Sequence, residues 1–211
     1  MSVAGQLPGS PEYLIDVWDT DSGLPHSTVT SIAQTPDGYL WVGTQLGGLA
    51  RFDGVRFVTF HPGNTAALQS LEVRQLLVDP GGTLWVGMVD GHLLSRRQGS
   101  FHLESQQLPT PLSWIHSLIF SRSNEVMISS FGGWLFHGRS QSGTNRWETF
   151  IAPDGDSLSA FCEDPEGRIW YRTRDAWLGV FANQQFSRMP TNCGLAGLVI
   201  NALTRDAEGR I

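Results

Sequence analysis

The sequence predicts an all-β fold, on three observations. Glycine (24 residues) and proline (11 residues) are frequent among the 211 residues, whereas charged residues make up only 16%. Turns are therefore many and solvated helical faces few. Apolar residues follow a period of two rather than 3.6. A turn followed by a strand centred on tryptophan recurs about every 43 residues. Repeats of this length, each with four short antiparallel strands, are typical of the blades of a β-propeller.

The recurring motif has four complete copies and one partial copy. Its anchors are Trp41, Trp85, Met127 and Trp170, so that successive spacings are 44, 42 and 43 residues. The anchors fall on the second strand of each unit, where neighbouring blades diverge, and are expected to fill the widening gap between sheets. The copies cover residues 37–43 (DGYLWVG), 81–87 (GGTLWVG), 123–129 (SNEVMIS), 166–172 (EGRIWYR) and 206–211 (DAEGRI).

Turn residues divide the first repeat into four strands. The division places strands at residues 29–34, 39–44, 49–52 and 56–60. Between the last two, Asp53 and Gly54 supply the positive φ that a two-residue hairpin needs. A β-sandwich with accidental internal similarity is the alternative fold, and the regular spacing disfavours it.

Applied to the whole chain, the division predicts an incomplete propeller arc of four blades plus a partial fifth. Because the partners of an outer strand and the rest of blade five are missing, the chain is expected to be a fragment of a larger propeller. Open sheet faces at both ends would favour aggregation or a homodimer. The predicted units are an N-terminal tail (1–12), the outer strand of a closing blade (13–19), blades one to four (29–60, 73–104, 115–150 and 158–189) and the start of blade five (199–211).

Charge and composition exclude several classes of function. The 14 basic residues are all arginine and face 20 acidic residues, so a general nucleic-acid surface is not expected. The segment contains neither a run of 18 apolar residues nor a secretion signal, so a membrane would be reached only through missing parts. Cys162 and Cys193 lack metal-ligand spacing and are expected to be free thiols, although a disulfide stays open. No metal or cofactor is expected.

The first repeat resembles a known family. Residues 23–44 (GLPHSTVTSIAQTPDGYLWVGT), followed by residues 48–54 (GLARFDG), are similar to the two-component regulator propeller repeat. The lead-in at residues 18–25 (WDTDSGLP) is similar to the segment before the first such blade. The resemblance is specific in units one and two, good in unit four, and weak in unit three, where the tryptophan and both flanking glycines are replaced.

The resemblance implies a sensor region of a hybrid two-component system histidine kinase or a related regulator. In that family the repeats typically form extracytoplasmic, periplasmic propellers, often two of seven blades, followed by a β-sandwich domain and a transmembrane helix. A histidine kinase or a diguanylate cyclase then forms the output, and many members sense oligosaccharides. The resemblance therefore implies a small-molecule or oligosaccharide ligand, with the remaining blades and downstream domains of the same chain as partners.

Loops that join strand two to strand three are the first candidate site. They share one propeller face with the loops that lead into each first strand, and variable loops on a rigid scaffold usually carry binding. Tryptophans here would stack on sugar rings and charged residues would bind hydroxyls, although packing beneath the loop is an equal explanation for the tryptophans. The candidates are Asp90, His92, Trp134, Arg174, Asp175 and Trp177.

A ring of polar residues near the start of each first strand is the second candidate site. Each is polar although its strand neighbours are apolar, and repeat-equivalent positions must lie around the propeller axis. Arg74 and His116 are the strongest members because a cation in a channel requires an anionic partner. A water-filled channel without special affinity is the alternative. The ring consists of Thr30, Arg74, His116, Ser159 and Asn201.

An enzyme is the second functional hypothesis, because some propellers are lyases or hydrolases with an axial active site. The segment has no nucleophile elbow, zinc-protease motif or phosphate loop. It has no axial acid pair, so Arg74 and His116 would need further catalytic residues from missing blades. A protein-interaction scaffold is the third hypothesis. The sequence favours a noncatalytic sensor segment.

Overall fold

The computed structural model describes residues 3–4, 14–108, 112–123, 125–141, 144–155, 157–175, 177–190, 200, 202–206, 208 and 210–211. Apart from two single-turn 3-10 helices, Ser105–Gln107 and Pro153–Gly155, the regular structure of these residues is entirely β-strand. A short antiparallel pair, β1 (Val3–Ala4) and β2 (Leu14–Ile15), precedes four larger sheets.

Each larger sheet contains four antiparallel strands that are adjacent in chain order, which confirms the predicted all-β propeller architecture. Blade one consists of β3 (Val29–Gln34), β4 (Leu40–Thr44), β5 (Leu49–Phe52) and β6 (Phe57–Phe60). Blade two consists of β7 (Val73–Val78), β8 (Leu84–Met88), β9 (Leu93–Arg97) and β10 (Ser100–Leu103). Blade three consists of β11 (Ile115–Phe120), β12 (Glu125–Ser130), β13 (Trp134–Gln141) and β14 (Thr144–Ile151). Blade four consists of β15 (Leu158–Glu163), β16 (Ile169–Thr173), β17 (Leu178–Ala182) and β18 (Gln185–Arg188).

The blades are arranged as an arc around their first strands. Strand β3 contacts β7, β7 contacts β11, and β11 contacts β15, so the four first strands line the inside of the arc. Side chains also join them. Gln75 of β7 donates from Nε2 to the Leu118 carbonyl (3.1 Å) and accepts from the Leu118 amide (2.8 Å), while the Leu76 amide donates to Ser31 Oγ (3.0 Å). Hydrogen bonds thus connect the first strand of blade one to that of blade two, and the first strand of blade two to that of blade three.

The recurring anchor of each of the first three blades fills the gap to the following blade, as predicted. Trp41 is fully buried in a cluster with Val73, Leu76 and Leu84 of blade two. Trp85 occupies the same place between blades two and three, and Met127 between blades three and four. Three apolar clusters therefore lie at the three blade junctions, and a smaller one of Leu24, Val42 and Ala50 lies on blade one. Each repeat is thus stabilised mainly by its neighbours.

A polar residue six positions before each anchor tryptophan accepts a hydrogen bond from its indole N–H. The indole Nε1 of Trp85 donates to Asp79 Oδ2 (3.1 Å), and that of Trp170 donates to Asp164 Oδ2 (2.8 Å). In blade one, Trp41 donates to Thr35 Oγ1 (3.0 Å). A buried indole N–H needs such an acceptor. The sequence motif therefore includes the turn that precedes the tryptophan strand.

Both ends of the predicted arc are described only in part. In the predicted outer strand 13–19, the described strand is limited to Leu14–Ile15, and the Trp18 ring packs against Phe52 of blade one at a centroid distance of 4.5 Å. The described residues of 199–211 contain no strand. Within the described parts of the chain, no helix is long and apolar enough to cross a membrane. Cys162 is half-buried and burial raises its pKa, whereas Cys193 lies outside the described residues.

Candidate functional site

The first strands of blades one, two and three share a β-bulge at their member of the polar ring, whereas Ser159 of blade four pairs with Arg172. Val29 pairs with Thr44 and Ser31 with Gly43, so Thr30 is an extra residue without a position in the ladder. The same one-residue shift leaves Arg74 and His116 unpaired in β7 and β11. A bulge frees its extra residue from the inward and outward alternation of a strand. Polar side chains can therefore project at the axis between apolar neighbours that stay in the core.

Three consecutive blades bring their residues together in one cavity of about 360 Å³, which we call the basic cavity. Arg74 and His116 enter it from the bulges of blades two and three. Blade four contributes two serines at the start of β15 and two arginines at the end of β16. Blade three adds two aromatic rings from its loops. The lining residues are Arg74, Trp114, His116, Phe131, Ser157, Ser159, Arg172 and Arg174.

The cavity is strongly electropositive. Its charged side chains among the described residues are the three arginines, and none of the ion pairs formed within the described residues includes them. Burial lowers the pKa of His116 below its ordinary value of 6.5, and the positive charges of Arg74 and Arg174 lower it further. The imidazole is therefore neutral at pH 7, and the net charge of the lining comes from the guanidinium groups.

Two buried nitrogen atoms in the cavity have no hydrogen-bond partner in the described part of the chain. These are Nε2 of His116 and Nε of Arg172. Arg172 makes one long contact, from Nη1 to Ser159 Oγ at 3.5 Å. Buried polar groups in folded proteins are normally satisfied by protein or by water. These two nitrogens can therefore form hydrogen bonds to a molecule bound in the cavity, beside its positive charge.

Two aromatic rings form the apolar part of the cavity. Trp114 and Phe131 are about half exposed, at 48% and 50%. The Trp114 ring is parallel to the His116 imidazole, with centroids 6.1 Å apart. Trp114 also has a φ of 58°, a left-handed conformation that a bulky residue rarely adopts and that is concentrated at functional sites. The lining therefore combines accessible ring faces with cationic donors.

The structure brings together some predicted site residues and separates others. Arg74, His116 and Arg174 share the basic cavity, and Ser159 of the predicted ring lies beside them. Thr30 instead donates to the Val73 carbonyl (2.7 Å) and joins blades one and two. Asn201 lies outside the described residues.

The remaining loop candidates do not line the basic cavity. His92 Nδ1 lies 2.9 Å from Asp90 Oδ2, so these two side chains pair with each other. Trp134 packs on Phe136 at a centroid distance of 6.2 Å and borders the core between blades two and three, which is the packing alternative left open by the sequence. Trp177 is 37% exposed, and Cζ of Arg188 lies 5.6 Å from the centroid of its ring. Asp175 is exposed.

Sequence reasoning missed Arg172, Trp114 and Phe131. Arg172 occupies the repeat position of Gly43 and Gly87. At Gly43 an added Cβ would lie 2.6 Å from Val73 Cγ1, so glycine is required there by the close approach of the next blade. The replacement of this glycine by arginine was the sequence signal that could have identified Arg172 as a candidate site residue. Trp114 and Phe131 lie in loops that the repeat does not specify.

Comparison with known proteins gives one family match and a set of similar structures. The family "Two component regulator propeller" matches residues 23–45. No match was found among curated proteins. The extracellular domain assigned to a hybrid two component system of B. thetaiotaomicron is 20% identical, with a TM-score of 0.68 over 83% of this chain and 24% of that domain. A second such domain from the same organism is 20% identical, with a TM-score of 0.65 over 77% of this chain and 22% of that domain.

An enzyme is also among the similar structures. Virginiamycin B lyase from Staphylococcus aureus is 14% identical, with a TM-score of 0.67 over 86% of this chain and 61% of the lyase. The present chain spans about a quarter of the length of the two extracellular domains. These likenesses show the shared propeller fold, and the family match confirms the resemblance seen in the sequence. The chain is a β-propeller segment whose residues 23–45 match the two component regulator propeller family.

Proposed function

We propose that this chain is the ligand-sensing part of a two-component-type signalling protein and binds a small ligand, such as an oligosaccharide, in the basic cavity. Binding would be relayed to a downstream kinase or another output domain. The family match at residues 23–45 supports the signalling context. The likeness to extracellular domains of two component systems supports an extracytoplasmic, periplasmic location.

One observation supports the binding role above all others. Side chains from three separate blades converge on a cavity that contains unpartnered buried nitrogens and accessible aromatic faces. Buried polar groups in folded proteins are normally hydrogen-bonded, so a ligand bound here can pair with these nitrogens. A ligand that supplies acceptors and a ring face would satisfy both features.

Binding to the full-length protein tests the proposal directly. A saccharide panel would be screened by thermal shift and followed by calorimetry. Trp114→Ala should weaken ligand affinity at least tenfold and reduce the thermal shift, because the ring lines the cavity. Trp177→Ala is the matched control: it removes an exposed indole on the same propeller face but outside the cavity. Stabilisation that survives Trp114→Ala and disappears in Trp177→Ala would move the site to the loops and overturn the proposal.

An enzymatic function is the alternative, and the neutral His116 favours it. A neutral imidazole beside guanidinium groups can accept a proton from a substrate whose developing negative charge the arginines stabilise. The likeness to virginiamycin B lyase shows that this fold can support a lyase. Mass spectrometry of candidate ligands after incubation distinguishes the two functions. A sensor returns its ligand unchanged, whereas an enzyme gives product that is lost in His116→Gln.

A further inference from the structure

The distribution of charge in the basic cavity restricts the chemistry of its ligand. Arg74, Arg172 and Arg174 belong to blades two and four, and the neutral His116 of blade three lies between them. The described lining contains no acidic side chain. Arg172 is partly buried, whereas Arg74 and Arg174 are exposed, and three positive charges that line one cavity attract an anion although solvent screens part of their field. This arrangement is suited to an anion and unsuited to a neutral or cationic ligand.

The geometry adds a second requirement, a ring. Trp114 presents an accessible indole face parallel to the His116 imidazole, and Phe131 borders the same space. Flat faces of this kind contact rings through stacking. Guanidinium groups recognise carboxylate and sulfate through paired N–H donors. Resting on the proposed function, we infer that the basic cavity selects an acidic saccharide, whose carboxylate or sulfate lies among the arginines while its ring lies on Trp114.

The occupied site should also change the protonation of His116. The imidazole shares the cavity with Arg74 of β7, Arg172 of β16 and Arg174 of the following turn, and the charges of Arg74 and Arg174 lower its pKa. The other polar side chains of the lining are Ser157 and Ser159. An anion among these groups would offset their positive potential. His116 would then bind a proton more readily, so ligand binding would be accompanied by proton uptake.

Matched pairs of saccharides test the inference on the full-length protein. Each pair consists of a neutral oligosaccharide and either its uronic acid or its sulfated counterpart of the same linkage and length. Calorimetry should find at least one acidic member that binds at least tenfold more tightly than its neutral counterpart. The carboxylate and sulfate arms identify which anion is used. Arg74→Gln and Arg172→Gln should each weaken that binding at least tenfold, whereas Arg56→Gln, which removes an exposed charge in a distant hairpin, should not.

The outcomes separate this inference from the proposed function. A neutral saccharide that binds in the cavity as tightly as its acidic counterpart overturns the anion requirement and leaves the sensor proposal in place. Failure of every acidic and neutral member to bind overturns both. An NMR titration of the His116 ring adds an independent measurement: the saturating acidic saccharide should raise the imidazole pKa, and an unchanged or lowered value contradicts the inferred position of the anion.

Discussion

The indole ring of Trp114 lies parallel to the imidazole ring of His116, with 5° between their planes and 6.1 Å between their centroids. Between them in sequence, Ile115 is fully buried in the core between blades two and three. The apolar residue anchors the segment in the core, and the residues on either side of it line the basic cavity. Folding and ligand recognition thus use alternate residues of the same three-residue segment.

Replacement of Trp114 by glycine should separate its two roles. Glycine adopts the observed φ of 58° without strain, so Trp114→Gly should change the free energy of unfolding by less than about 1 kcal/mol while ligand binding is lost. Denaturant unfolding and calorimetry on the full-length protein measure the two effects. Trp134→Ala is the contrast, because its ring borders the core, and it should cost about 3 kcal/mol. A comparable cost for Trp114→Gly would show that this ring is structural.

Acidification should destabilise the protein through His116. The folded-state pKa lies below 6.5 because of burial and then the charges of Arg74 and Arg174. The unfolded chain therefore binds more protons, and the free energy of unfolding falls as pH decreases below 6.5 toward the folded pKa. The slope contributed by one group cannot exceed about 1.4 kcal/mol per pH unit. Chemical unfolding between pH 7.5 and pH 5 should show a smaller slope for His116→Gln, and identical slopes would contradict the assigned environment.

Asp164 should be the most costly polar residue to neutralise in blade four. Burial raises its pKa, but hydrogen bonds from the Trp170 indole and from Arg168 outweigh burial and lower it below 3.8. Asp164→Asn should reduce the free energy of unfolding by about 1–3 kcal/mol at pH 7. Because this contribution is lost as pH falls through the lowered pKa, mutant and wild type should converge in strong acid. The exposed Asp175→Asn, measured in the same unfolding series, should have almost no effect.

Gln75 offers a graded test of the contact between blades two and three. Its amide both donates to and accepts from Leu118 of the next first strand. Gln75→Leu removes both bonds and should cost about 1–3 kcal/mol, since the Leu118 backbone groups lose their side-chain partners. Gln75→Ser should cost less, because the equivalent Ser31 accepts one such bond from Leu76. Equal thermal stabilities for the three proteins would show that the amide contributes nothing to blade association.

The blades could be predicted because the repeat encodes both their turns and their packing. The spacing of Trp41, Trp85 and Trp170 indicated where neighbouring sheets diverge, and the structure places Trp41 and Trp85 in those gaps. In the sequence, the polar ring could be recognised because each member interrupts a run of apolar residues. The bulge that frees three of its members, Thr30, Arg74 and His116, was not predicted. A bulge is defined by how two strands pair, and the apolar pattern of one strand carries no information about that pairing.

The aromatic part of the site could not be predicted in the same way. Trp134 and Trp177 hold equivalent positions at the start of the third strand, yet Trp134 packs on Phe136 and Trp177 lies beside Arg188. Trp114 reaches the basic cavity from a loop whose conformation depends on the left-handed φ of that one residue. The positions of these rings depend on contacts with distant segments and on local backbone conformation. Neither produces a periodic pattern in the sequence.

The shared bulge gives this scaffold an unusual freedom to change. Thr30, Arg74 and His116 are extra residues in their ladders, so the strand pairing makes no demand on their side chains. In blades two and three this position can therefore vary in charge and size at little cost to the sheet around it, whereas Thr30 of blade one also bonds to Val73. Selectivity at the axis can diversify residue by residue, in evolution or in design, while the frame that presents those residues stays the same.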